Sequence, residues 1–116
     1  MAFPQSAHLP GSDDYYQVNE ACKAYTLRDY SFQMTKAGNF EFDRRVQPDF
    51  REPRSVRFKV LVAGDLAGLK MQVTNEKGLK AVNIYKNEAM AAFKREIEFL
   101  LADMVKEGIL TPTTKT

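Results

Sequence analysis

Arginine is unevenly spread along this chain: Arg44, Arg45, Arg51, Arg54 and Arg57 place five of its seven arginines within fourteen residues. The planar guanidinium fork is the side chain best matched to a carboxylate or phosphate, so such a cluster can hold a small anionic metabolite or an acidic patch on a protein partner. Asp43, Asp49 and Glu52 lie among these arginines. A solvated loop whose cations pair with those acids is therefore the competing reading. Arg28 and Asp29 add adjacent opposite charges that could sit at the rim of a pocket between a sheet and a helix.

Other chemistry is harder to assemble. Cys22 adjoins Lys23, and a neighbouring cation is one way to lower a thiol pKa, but the single histidine, His8, lies apart among prolines. One cysteine cannot form an internal disulfide or a thiolate-rich zinc site, and His8 has no spaced co-ligand, so neither metal nor cofactor is expected. The Gly64-Asp-Leu-Ala-Gly68 segment lacks the lysine of a phosphate-binding loop and lies between two strand patterns. No nucleophile-elbow, zincin or paired-cysteine motif occurs. Asp13 and Asp14 fall in a proline- and glycine-containing lead-in, where solvent keeps carboxylates near their ordinary pKa. These residues point to a non-enzymatic binding module.

The elements that would position these groups follow from periodicity. Residues 87–107 carry Met90, Phe93, Ile97, Leu100, Leu101, Met104 and Val105 at steps of three and four, one apolar stripe of a long helix. Asn87 is placed to cap its start and Gly108 to end it in a left-handed turn. Before it, Val56, Phe58, Val60 and Val62 alternate with polar residues, then Leu69, Met71 and Val73, then Val82 and Ile84, predicting a three-stranded meander. Residues 25–34 read as a strand bent near Arg28 and Asp29, joined through Lys36-Ala37-Gly38-Asn39 to Phe40 and Phe42 as a hairpin. Tyr15 to Val18 reads as a short edge strand, and 19–24 as a turn of helix. Residues 1–14 are expected to be a flexible arm, 15–110 one α+β domain, and 111–116 a flexible tail.

Phe99 does not fit a one-sided helix, because it lies about 180° around the wheel from Met90. It is a lone exposed aromatic, the contact of a second sheet, or a homodimer contact flanked by the small Ala92 and Ala102.

Length and composition agree with a single soluble domain. The chain has 116 residues, 44% apolar and 28% charged, with a net charge of +2. Such near-balance argues against a nucleic-acid binder, which concentrates basic charge on one face. A weak RNA-binding reading would need exposed stacking aromatics, and Phe40 and Phe42 have that spacing but follow the inward alternation of a core. The longest apolar run, Val60 to Ala63, is far short of a membrane span, and no signal-peptide pattern opens the chain. With one cysteine, a cytoplasmic setting is expected.

The segments Tyr25-Thr26-Leu27-Arg28-Asp29, Phe32 to Phe40, Gly68-Leu69-Lys70-Met71 and Asn83-Ile84-Tyr85-Lys86 resemble a small domain-of-unknown-function family of lactic-acid bacteria, over about Tyr25 to Leu110. That resemblance implies two β-sheets packed on one helix, a remote similarity to S-adenosylmethionine decarboxylases, and a link to amino-acid or sulfur metabolism. It favours a second sheet over Phe99. It carries no catalytic residue, and the decarboxylase self-cleavage between glutamate and serine is not implied, because none of Ser6, Ser12, Ser31 or Ser55 follows a glutamate. The expected function is an accessory or binding module. The alternative is a small-molecule binder or enzyme with a pocket between sheet and helix.

Overall fold

Alternation in the middle of the chain builds its main sheet. In the computed structural model, which describes residues 3–49, 51–86 and 88–113, the strands β1 (Ser6–Ala7), β2 (Tyr15–Val18), β3 (Gln33–Met34), β4 (Phe40–Val46), β5 (Val56–Val62), β6 (Leu69–Asn75) and β7 (Leu110–Thr113) form two antiparallel sheets. Helices α1 (Ala24–Asp29) and α2 (Ala91–Lys106) complete the α+β fold, with a short 3-10 turn at Glu88–Met90 leading into α2.

The larger sheet has the order β3-β4-β5-β6. Its inward rows are Phe40↔Val62↔Leu69, Phe42↔Val60↔Met71 and Arg44↔Phe58↔Val73. Phe58, Val60, Val62 and Leu69 are fully buried, each contributing about 1.5–3 kcal/mol of burial free energy. The expected hairpin and the first two meander strands are thus one continuous sheet, since the proline-bearing loop 47–55 joins neighbouring strands β4 and β5. The expected third meander strand is not one. After Gly78 turns at φ +77, only Ala81 bridges back to Thr74, and the Asn83 side chain accepts from the Tyr85 amide and curls the chain away. Further along β6 the edge is taken by the N-terminal segment, where the Leu69 amide donates to the Pro4 carbonyl.

The second sheet, β1-β2-β7, comes from the two ends of the chain. Residues expected to be a flexible arm instead pair Ser6 with Gln17 and bury Leu9 to 2% exposure. Residues expected to be tail pair Tyr16 with Pro112 and Tyr15 with Thr113, so β2 is central rather than an edge. The proposed tail residues 114–116, and the Asn87 cap, lie outside the described residues.

Helix α2 packs against both sheets through Phe93, Ile97, Leu100, Leu101 and Met104, the expected stripe. Gly108 ends it at φ +80, with the Ile109 amide donating to Met104 and the Gly108 amide to Val105. On its far flank, Tyr85 donates to Glu98 at 3.3 Å and Lys94 lies 5.4 Å from the Tyr85 ring centre. Burial, with Glu98 and Asp14 nearby, pushes the Tyr85 hydroxyl up to about 12.

Residues 25–29, read above as the start of a strand, are helix. Leu27 is the single buried position of α1, and one and a half turns place it inward as well as a strand would. The helix stops because Ser31 adopts φ +86, allowing the Phe32 amide to reach Leu27 and the Ser31 amide to reach Arg28. It is the same hydrogen-bond pattern that ends α2, made there by a glycine.

Candidate functional site

The strand period decides where each arginine goes. Arg44 shares the inward parity of Phe40, Phe42 and Val46, so it emerges on the face that carries α2, whereas Asp43 and Arg45 point to the opposite face. On that outer face Arg57 pairs with Asp43 at 3.0 Å and donates to the Glu76 carbonyl at 2.8 Å, and Arg45 pairs with Glu76 at 3.2 Å. Arg54 pairs with Glu52 at 2.8 Å and lies 5.6 Å from the centre of the Phe93 ring, while Arg51 pairs with Asp49 at 3.6 Å. Arg44 makes no ion pair or side-chain hydrogen bond among the described residues.

Arg44 opens into a groove of about 610 Å³ between β4, the end of α1 and α2. Its apolar wall is Phe42, Phe99 and Leu100, and its polar lining includes Asp29, Tyr30, Ser31, Gln47, Glu96 and Asp103. Of the residues singled out in the sequence, Asp29, Arg44 and Phe99 come together here, and Arg45 adds to the lining while its guanidinium pairs with Glu76 on the outer face. Arg28, Arg51, Arg54 and Arg57 are not among the lining residues. Phe99 is not covered by a second sheet: it stays 68% exposed, because the second sheet is built from the chain ends on another side of α2.

Tyr30 and Asp103 complete the groove floor, and neither was singled out in the sequence. The Tyr30 hydroxyl donates to Asp103 Oδ2 at 2.6 Å, tying the end of α1 to α2 across 73 residues of sequence. Burial first, then this hydrogen bond and the Asp103 charge, push the Tyr30 pKa up, and Arg44 opposes the rise. Tyr30 therefore remains a protonated donor at neutral pH. Its ring packs 5.7 Å from Phe42 and 6.4 Å from Phe32, which fixes its position over the sheet. Ser31, at the strained αL position, also lines the groove.

The other candidate groups are structural. Cys22 is buried, its thiol pKa pushed up by burial, opposite to what a reactive thiolate requires. His8 contacts the Ser12 carbonyl through Nδ1 at 2.9 Å and stacks on Tyr15 at 4.3 Å. Phe40 and Phe42 are 2% and 5% exposed, so they are core rather than stacking platforms. Among the described residues, no three His, Cys, Asp or Glu side chains gather as a metal-ligand group, and no helix is long and apolar enough to cross a membrane.

What this arrangement can do is present opposite charges within one groove beside an aromatic wall: the Arg44 guanidinium together with Asp29, Glu96 and Asp103. Comparison with known proteins supplies the context. The family DUF1831, described as "Putative amino acid metabolism", matches residues 1–111. The crystal structure of a DUF1831 family protein from Lactobacillus plantarum is similar at 30% identity, with a TM-score of 0.85 over 97% of this chain and 99% of that one. No curated protein matches.

Proposed function

This chain belongs to the DUF1831 family, and from that premise we propose that it is a non-enzymatic binding module of amino-acid metabolism whose ligand is a small zwitterion held between β4 and α2. The observation that carries this reading is Arg44. Arg44 has the parity of the inward row of β4, yet it is exposed in the groove and makes no ion pair among the described residues, so its guanidinium is available to a ligand.

The chemistry of the ligand follows from the lining. Arg44 is suited to a bidentate grip on a carboxylate, and Asp29, Glu96 and Asp103 offer negative charge to an ammonium group. Phe42, Phe99 and Leu100 suit an apolar or thioether side chain. The groove volume lies within the roughly 300–1,000 Å³ range of small-molecule sites. Charge of both signs disfavours a polyanion, which would meet the four carboxylates Asp29, Asp43, Glu96 and Asp103. The raised pKa of Tyr30 keeps the groove's hydrogen-bonded hydroxyl protonated at neutral pH, a donor to Asp103 rather than a phenolate base.

A thermal-shift screen at neutral pH tests the proposal with free amino acids, their amides and their N-acetyl derivatives. A free amino acid at about 100 times its Kd stabilises by about 2.7 kcal/mol, and removing either ligand charge abolishes that rise. Equal shifts for amino acids and amides, or none across the panel, would refute it.

A further inference from the structure

The exposed side of α2 carries a charge pattern complementary to its own reverse. Arg95, Phe99 and Asp103 follow one another at steps of four residues and form a single ridge along the helix. Phe99 is exposed at the centre of the ridge. Arg95 is exposed and makes no ion pair among the described residues, and Asp103 uses Oδ2 for Tyr30 while Oδ1 has no partner among them. The neighbouring Ala92 and Ala102 are small and exposed, leaving room for a backbone to approach.

We propose that this ridge is the contact between two copies of the chain, with Phe99 at the two-fold axis and Arg95 of each copy paired with Asp103 of the other. A two-fold axis brings the same patch of both copies together and reverses its direction. Where two helices pack with their i±4 ridges side by side across a two-fold axis perpendicular to the ridge, the ridges run antiparallel and the residue four before the centre meets the residue four after it, which is the arrangement the opposite charges of Arg95 and Asp103 favour. Arg95 and Asp103 each lie about 6 Å along the helix from Phe99, so both opposite-charge pairs form at once. Like charges at these positions would forbid the dimer. The pattern therefore selects a second copy of this chain rather than an unrelated partner, which would not need the symmetry.

The contact also bears on the groove, since Phe99 and Asp103 lie on its α2 rim. In the dimer, Arg95 of the second copy reaches that rim and adds a second cation beside Asp103. The dimer itself holds whether or not the groove takes a zwitterion. One helix face is small beside the roughly 800 Å² per partner of a standard interface, so the dimer is weak, with a Kd in the micromolar range.

Sedimentation velocity of the full chain, from about 10 µM to about 1 mM, is the test. Wild type passes from 13.2 kDa to twice that mass over this range. Arg95→Glu and Asp103→Arg each bring like charges together and weaken association at least tenfold, while an equimolar mixture of the two restores the dimer because every pair is again opposite. Circular dichroism checks that both variants are folded. Arg95→Glu alters an exposed residue with no ion pair, so it reports on the contact even where Asp103→Arg does not fold. A wild type that stays monomeric throughout, a dimer indifferent to Arg95→Glu, or folded variants that fail to associate when mixed would overturn the proposal.

Discussion

Replacing Arg44 by leucine should stabilise this protein. Arg44 lies on the inward face of β4 between Phe42 and Val46 and directly across from Phe58, and it loses no ion pair when removed. Full burial of a leucine contributes about 1.5–3 kcal/mol, and because the position is exposed at the groove, about half of the lower-to-middle value, near 1 kcal/mol, is expected. With a urea m-value of about 1–2 kcal/mol/M, the unfolding midpoint rises by about 0.5–1 M. The chain has no tryptophan and five tyrosines, so tyrosine emission together with far-ultraviolet circular dichroism follows the transition. A fall in the midpoint at unchanged m-value would refute the reasoning, because it would mean that Arg44 supports the fold and that its inward placement needs no binding role.

Two further outcomes follow from the same geometry. Ser31 holds φ +86 where Gly108 serves at the end of α2, so Ser31→Gly relieves about 1 kcal/mol of left-handed strain, partly offset by glycine's entropy, and raises the urea midpoint; a lowered midpoint would show that the Ser31 side chain stabilises the turn. Burial raises the pKa of Tyr16, Tyr30 and Tyr85, the last to about 12, so their contribution to stability is complete below the unfolded value near 10 and is lost as pH climbs toward 12. Phenolate absorbance should accordingly show these three ionising late and together with loss of structure, and five ordinary titrations in the folded chain would contradict that.

How far the sequence discloses this molecule depends on whether a feature is local. The β5 and β6 alternation, the α2 stripe and the Gly108 stop are local patterns long enough for a period to show, and each corresponds to the structure. Residues 24–29 are too few: Tyr25 and Leu27 alternate as a strand would, yet six residues with one buried leucine serve equally as helix. The second sheet is beyond local reading, since β2 pairs with a strand more than ninety residues away and made of Leu-Thr-Pro-Thr, a segment with little strand signal.

The groove divides in the same way. The parity that separates Arg44 from Arg45 and Arg57 is present in Phe40-Glu-Phe-Asp-Arg-Arg-Val46, and following it through would have separated one inward arginine from a cluster of paired ones. Nothing local joins Tyr30 to Asp103. Their hydrogen bond exists because α1 ends where the sheet passes beneath α2, and that is set by the packing of the whole chain. Phe99 marks the opposite case. Its place off the stripe is plain in the sequence, and its 68% exposure follows from it, while the neighbours that make it useful come from β4 and α1.

Whether Arg44 holds the ligand's carboxylate is decided by calorimetric titration of a free apolar amino acid into wild type and into Arg44→Leu. Binding to wild type is expected to be saturable and one-to-one, and to weaken about 10- to 100-fold in a variant at least as stable, the cost of removing a charged hydrogen-bonding partner of about 1.5–3 kcal/mol. Undiminished binding to Arg44→Leu would contradict that role.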